Sequence, residues 1–219
     1  MINLKLVAGG ALLSLLALPG HATVIDFTNT NCKSAGVPCV IPQTYGDTDD
    51  VDVSHRIIQK SNGHTVGIGL FEYKTVGYGD LTHVVYGGYD AYNYLSEITL
   101  TAKPGRLLSL QSFDFATFGN RAAKVPISVF DLAGNVLVSG NFSTNSPKHA
   151  TLAANTGYLS GVIIRWGPDS VNVGLDNITY NAEPALPAPE PATWAMMLMG
   201  FGALGTAMRR RQRSSFNLA

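Results

Sequence analysis

Between residues 23 and 183 the chain reads as short runs of Val, Ile, Leu, Tyr and Phe, broken by Gly, Asn, Asp and Pro. Nothing there carries the i, i+3, i+4 spacing of a long amphipathic helix. The runs that predict strands are TVIDF, VDVSHRII, TVGIGLFEY, LTHVVY, YLSEITLTA, RLLSLQSFDF, PISVFDL, NVLVSGNF, YLSGVIIRW and VGLDNITY. In YLSGVIIRW, Tyr158, Val162, Ile164 and Trp166 share one face while Leu159 and Ile163 lie on the other. A strand apolar on both faces belongs at the centre of a packed sheet. Ala133-Gly134-Asn135 supplies hairpin chemistry between two runs, and TYGD (44–47) and GYGD (77–80) read as tight turns. Many short strands at this spacing predict an all-β domain, a jelly-roll-like antiparallel β-sandwich, with helix confined to the two ends.

The ends differ from this pattern. Residues 1–22 open with Lys5, continue through an apolar stretch from Leu6 to Leu18, and close on Gly20-His21-Ala22. That is a secretory signal peptide, so the chain is exported. Residues 184–192 form a Pro-rich linker containing Pro184, Pro187, Pro189 and Pro191. Residues 193–208 carry no charge and predict a short transmembrane helix; 209–219 then form a basic cytoplasmic tail led by Arg209, Arg210 and Arg211. What remains, 23–183, is sized for one domain.

Charge and cysteines refine this picture. The net charge is zero over the whole chain, but 23–183 holds 10 Lys+Arg against 14 Asp+Glu. A mildly acidic body without a basic stripe argues against nucleic acid as a partner. Cys32 and Cys39 are the two cysteines; in an exported chain they predict one local disulfide.

The tail PEPATWAMMLMGFGALGTAMRRRQR closely resembles the PEP-CTERM protein-sorting signal of exopolysaccharide-producing Gram-negative bacteria. The resemblance rests on Pro189-Glu190-Pro191, the apolar run with Gly200, Gly202 and Gly205, and the arginine cluster. It implies recognition by an exosortase, a membrane enzyme that processes such tails near the Pro-Glu-Pro. The chain would then be anchored in the inner membrane before processing and reside at the cell surface or in the matrix afterwards. Similar tails have been called an ice-binding-protein C-terminal domain, which implies no ice binding for this body.

Candidate sites in the body are fewer. The closing DNI resembles the last strand of secreted jelly-roll carbohydrate-binding modules, which implies a structural Ca²⁺ held by Asp176 with oxygens from the first strand, Asp26 among them. The alternative is that Asp176 accepts backbone hydrogen bonds while Asn177 holds a bulge or turn. Asp47, Asp49, Asp50 and Asp52 lack the Gly and Glu of a calcium loop and read as a solvated acidic turn. VVYGGYDAYNYL gathers Tyr86, Tyr89, Tyr92 and Tyr94 into a Gly-rich loop that could stack on sugar rings or fold back over a sandwich edge. His55, His64, His83 and His149 are scattered, with no metal-binding spacing, and no nucleophile elbow is present.

No catalytic residue is therefore named, and no cofactor beyond the implied Ca²⁺. The expected function is an exosortase-sorted surface or exopolysaccharide-matrix protein with a non-catalytic polysaccharide-binding body. Two alternatives stand beside it: a structural or adhesive surface protein that reads no sugar, and a glycoside hydrolase using Glu72 or Glu97.

Overall fold

The computed structural model of the chain describes residues 22–28, 39–67, 69–87, 93–145, 147–169, 172–185 and 191–214. Among these the alternation of apolar and polar positions becomes thirteen strands and one helix. The strands are β1 (Ala22–Ile25), β2 (Cys39–Val40), β3 (Val51–Gln59), β4 (Thr65–Gly67), β5 (Phe71–Tyr78), β6 (Leu81–Tyr86) and β7 (Tyr94–Ala102), followed by β8 (Arg106–Thr117), β9 (Lys124–Asp131), β10 (Val136–Ser143), β11 (Ala150–Ala153), β12 (Gly161–Trp166) and β13 (Val173–Pro184). The helix is α1 (Pro191–Ser214). The signal-peptide residues before Ala22 lie outside the described residues.

The strands form two antiparallel sheets. Sheet A runs β11-β8-β13-β6-β5-β2, with β1 also paired to β13; sheet B runs β10-β9-β12-β7-β3-β4. The chain passes repeatedly from one sheet to the other, so their inner faces share one core. Trp166, Tyr180, Phe113, Phe115, Ile57, Ile98, Ile127 and Ile164 are fully buried in it. Burying each such side chain contributes about 1.5–3 kcal/mol. The Trp166 indole N–H is satisfied by the Val173 carbonyl at 3.2 Å.

β12 is central, between β7 and β9, as its two-sided apolar pattern predicts. The 131–136 turn also follows its chemistry: Gly134 has φ 86°, and Asp131 accepts the Asn135 main-chain N–H at 2.8 Å and its amide at 2.7 Å. Asn177 sits at φ 51°, the left-handed region that Asn tolerates. It marks an irregularity in β13, which pairs with β6 at Leu175 and with β1 from Ile178 onward.

Three elements depart from the sequence reading, the first of them β2, a two-residue strand that no predicted run contains and that pairs with β5. TVGIGLFEY is not one strand: β4 pairs with β3 in sheet B and β5 with β6 in sheet A, so the chain changes sheets between them. Gly69 belongs to that crossing, and a side chain there would come within 2.6 Å of Val40. The strand β11 was not predicted; it is four residues long and pairs with β8.

The expected transmembrane helix is a further difference. α1 forms, yet among the described residues no helix is long and apolar enough to cross a membrane. Gly200, Gly202, Gly205, Thr193 and Thr206 dilute its hydropathy, and Arg209 ends the uncharged run. Pro184–Ala219 is a compact unit of its own, separate from the body.

Sheet A is also apolar on part of its outer face. Val85 points into the main core, so its neighbour Val84 points outward, where it joins Tyr78, Leu81 and Ala116 in a second small cluster. β13 approaches this cluster through Gly174, where a Cβ would lie 2.6 Å from the Val84 side chain. Gly174→Ala should therefore cost about 1–3 kcal/mol in chemical denaturation. Combined with Val84→Gly, which removes both the Cβ and the Cγ2 that the new methyl would meet, the loss should be smaller than the sum of the two single losses, and strict additivity would contradict this contact.

Candidate functional site

Register in sheet B sets three charged side chains in one row. Arg56 of β3 lies opposite Glu97 of β7, and Glu97 lies opposite Arg165 of β12. Their strand neighbours Ile57, Ile98 and Ile164 point into the core, so this row is on the outer face. Glu97 is nonetheless completely buried, because the two arginines cover it. Arg56 Nε donates to Oε1 at 2.5 Å, and Arg165 Nε and Nη2 donate to Oε2 at 2.9 and 2.7 Å. The Arg165 guanidinium also lies 4.8 Å from the centroid of the Phe130 ring. A carboxylate without solvent needs such partners, and losing one typically costs about 3–5 kcal/mol. The row continues through Ser128 and Ser139, whose hydroxyls are 2.8 Å apart.

Beside Arg56 an open groove of about 390 Å³ is lined by Gln43, Ser54, His55, Thr65 and Thr99. Its back wall is rigid. His55 Nε2 donates to the Pro42 carbonyl at 2.9 Å and Nδ1 accepts the Leu70 N–H at 3.1 Å, which fixes a neutral tautomer. Burial lowers the His55 pKa, partly offset by the Pro42 hydrogen bond. Gln43 brackets the same residue, donating to the His55 carbonyl at 2.9 Å and accepting its N–H at 3.3 Å. The histidine thus anchors the wall and is not a proton shuttle. A second groove, of about 350 Å³, is lined by Gln59, Lys60, Ser61 and Asn93, where the segment leading into β7 meets the turn after β3.

Sequence reasoning singled out Glu97 only as an acid and missed Arg56 and Arg165. The available signal was a single charge in each of the apolar strands β7 and β12, and Arg56 together with Asp52 in β3, but their register cannot be read from the sequence. Glu72 lies elsewhere, in β5 of sheet A opposite core-facing Val85, and is buried with His83 Nδ1 2.8 Å from its Oε1. Glu72 therefore faces inward from one sheet while Glu97 faces outward from the other. They do not flank a common bond, as paired glycosidase carboxylates must.

The tyrosines separate in the same way. Tyr86 is buried on the outer face of sheet A, with ring centroids 5.9 Å from Phe71 and 6.3 Å from Tyr78. Tyr94 opens β7 in sheet B and packs against the main core. Tyr89 and Tyr92 lie outside the described residues. So does Cys32, while Cys39 is disulfide-bonded. The acidic turn is pinned: Asp47 accepts the Val53 N–H at 2.6 Å, Arg106 pairs with Asp50, and Lys103 lies 3.3 Å from Asp52.

The Asp26–Asp176 pair takes the alternative reading. Asp176 accepts the Asn177 N–H at 2.8 Å, Asp26 accepts the Thr28 hydroxyl at 2.8 Å, and Asn177 donates to Asp114 at 2.9 Å. Among the described residues no group of three or more His, Cys, Asp or Glu could hold a metal ion. Calcium takes six to eight oxygens, of which the carboxylates of Asp26 and Asp176 would supply only a part. Burial pushes the Asp176 carboxyl up to about 6; backbone N–H groups of Asn177 and Phe27 oppose the rise, and the charges of Asp26 and Asp114 add to it. Folded protein therefore keeps a proton that the unfolded chain releases between about pH 4 and 6. This contribution to stability is complete at low pH and is lost as pH rises through 6. From pH 4 to pH 7, urea denaturation should show Asp176→Asn gaining about 2–3 kcal/mol relative to the unsubstituted protein.

Comparison with known proteins adds one firm result. Two similar solved structures are an arabinose-bound α-L-arabinofuranosidase, 10% identical with TM-score 0.34 over 52% of this chain and 22% of that one, and the isomalto-dextranase of Arthrobacter globiformis T6 complexed with panose, 8% identical with TM-score 0.31 over 74% and 34%. The chain thus spans only about a fifth and a third of their lengths, and likenesses this weak do not define a shared fold. No curated protein matches the chain. Residues 187–212, by contrast, match the PEP-CTERM protein-sorting motif, with Pro191, Arg209, Arg210 and Arg211 inside α1 and Pro189 and Glu190 just before the described residues resume. The chain therefore carries a PEP-CTERM sorting motif, the mark of an exported, exosortase-sorted surface protein.

Proposed function

We propose that the body of this sorted protein is a non-catalytic polysaccharide-binding module, a jelly-roll-like sandwich delivered by its tail to the cell surface or the exopolysaccharide matrix. The observation that carries the reading is the open groove on sheet B. Its Ser54, Thr65 and Thr99 side chains offer the hydroxyl chemistry that sugars match. Tyr92 precedes Asn93 of the second groove in sequence, and stacking of Tyr89 and Tyr92 on a sugar ring would add to the contact. In this reading α1 is a temporary anchor. Met196, Leu198, Phe201 and Leu204 are exposed and prefer an apolar surrounding, and a helix too weakly apolar to span firmly suits a segment that is later processed.

A second reading, a structural or adhesive protein, is favoured by one sheet edge. β2, β4 and β11 are two, three and four residues long, which blunts three edges. β10 is eight residues long, without charge or proline. The Pro126 carbonyl accepts the Gly167 N–H at 3.3 Å, so Pro126 turns its backbone toward β12. Asn141, opposite Pro126, must then turn its own N–H and C=O to the open side, ready to pair with a strand of another copy.

The body, which buries its own core, should bind exopolysaccharide of the producing cells saturably. Thr99→Trp, which fills the groove, and Tyr89→Ala with Tyr92→Ala should each weaken that binding about tenfold or more, with the thermal midpoint measured alongside to show that each variant is folded. Absence of binding by folded protein would remove the first reading. For the second, sedimentation should show self-association that Asn141→Pro abolishes; a body that stays monomeric at high concentration excludes it.

A further inference from the structure

Resting on that reading of the sheet B face, we propose that the polysaccharide it takes is acidic, with a sugar carboxylate received on the free edges of Arg56 and Arg165. The argument begins with charge. Within 23–183 there are 10 Lys+Arg against 14 Asp+Glu, so the body as a whole repels polyanions. Its other described ion pairs hold no excess of cations: Lys103 meets Asp52, Arg106 meets Asp50, His83 meets Glu72, and His149 lies between Asp80 and Asp114. At Glu97 the balance reverses, because two guanidiniums share one carboxylate. Among the described ion pairs this is the place where cations outnumber anions, and it lies on an open face.

The donors are also available. Each guanidinium carries five N–H groups. Glu97 takes one bond from Arg56 and two from Arg165, and the other bond is a long 3.5 Å contact from Arg56 Nη1 to the Thr65 hydroxyl. Both side chains remain part exposed, at 44% and 31%. Guanidinium forks bind carboxylates through two parallel hydrogen bonds, which a lysine ammonium cannot reproduce.

Preorganisation completes the case. Glu97 is fully buried and holds both forks from below, and Phe130 supports that of Arg165. Rotamer entropy that a loose surface arginine would lose on binding is therefore lost already on folding. Hydroxyls flank the charges on both sides, with Ser54, Thr65 and Thr99 in the groove and Ser128 and Ser139 along the row. A sugar unit with one carboxylate and several hydroxyls matches this face; a neutral glycan leaves the charge excess unanswered.

The test is calorimetric titration of the body with polygalacturonate oligomers and with neutral dextran oligomers of equal length, at low and moderate salt. The uronate should bind at least tenfold tighter than dextran and weaken as salt rises. Free galacturonate should compete where galactose does not, a comparison that needs no variant. Arg56→Gln should lower uronate affinity about tenfold, and Arg165→Lys, which keeps the charge and loses the fork, should lower it comparably. Lys124→Gln, a cation on the same sheet away from the row, should change it little. Equal binding of both glycans overturns the acidic preference and leaves the binding module standing. Uronate binding that Lys124→Gln weakens as much as Arg56→Gln also overturns it, since the attraction would then be diffuse. Failure to bind any glycan removes both readings.

Discussion

The packing of Ile57, Ile98 and Ile164 on the inner face of sheet B is the constraint on which the rest depends. Side chains alternate along a strand with period two, so a slip of one residue would exchange the two faces. It would place Arg56, Glu97 and Arg165 in a core occupied by Trp166, Phe113 and Phe115. Desolvating three charges there would cost far more than any rearranged contact could return. The isoleucines therefore fix the register, and the register brings the charged row together. Core and candidate site are two consequences of the same pairing.

This dependence explains which features were legible in the sequence. Turns are local, so Gly134 with Asn135 and the paired Tyr-Gly-Asp stretches were readable from composition. Strand centrality was readable at β12 because an apolar residue on each face has only one comfortable setting. The break between β4 and β5 was not, since Gly67 and Gly69 resemble ordinary interruptions within a strand until the two sheets are known. β11, with the sequence ATLA, is too short and too plain to announce itself. The site was hidden for a different reason. Arg56, Glu97 and Arg165 lie 41 and 68 residues apart in sequence, and only the pairing of three strands unites them.

The tail gives the opposite case. Its chemistry is contiguous, a Pro-Glu-Pro, an apolar run and an arginine cluster in fixed order, and a linear signal survives reading without a fold. The transmembrane helix expected from the same residues is not confirmed, since among the described residues no helix is long and apolar enough to cross a membrane. Three glycines and two threonines within the uncharged run leave α1 below the apolarity of a spanning segment, although it forms a continuous helix of 24 residues. Helix formation and membrane insertion draw on different properties. The first needs backbone hydrogen bonds closed within the segment; the second needs apolar area, which glycine does not supply.

Electrostatics distinguishes the body's polar clusters from one another. At Asp176 burial above all, with the charges of Asp26 and Asp114 adding to it, raises the carboxyl toward neutrality, and N–H groups meet the oxygens of the cluster. That cluster is part of the frame, with its hydrogen bonds made among its own members where β13 changes partner. At Glu97 the fold does the reverse, covering one anion with two cations and leaving their outer edges in solvent. A structural ion pair needs only one cation to neutralise a carboxylate. Both guanidiniums are needed to cover the buried Glu97, but together they leave one positive charge in excess, and a ligand that brings its own negative charge would supply its partner.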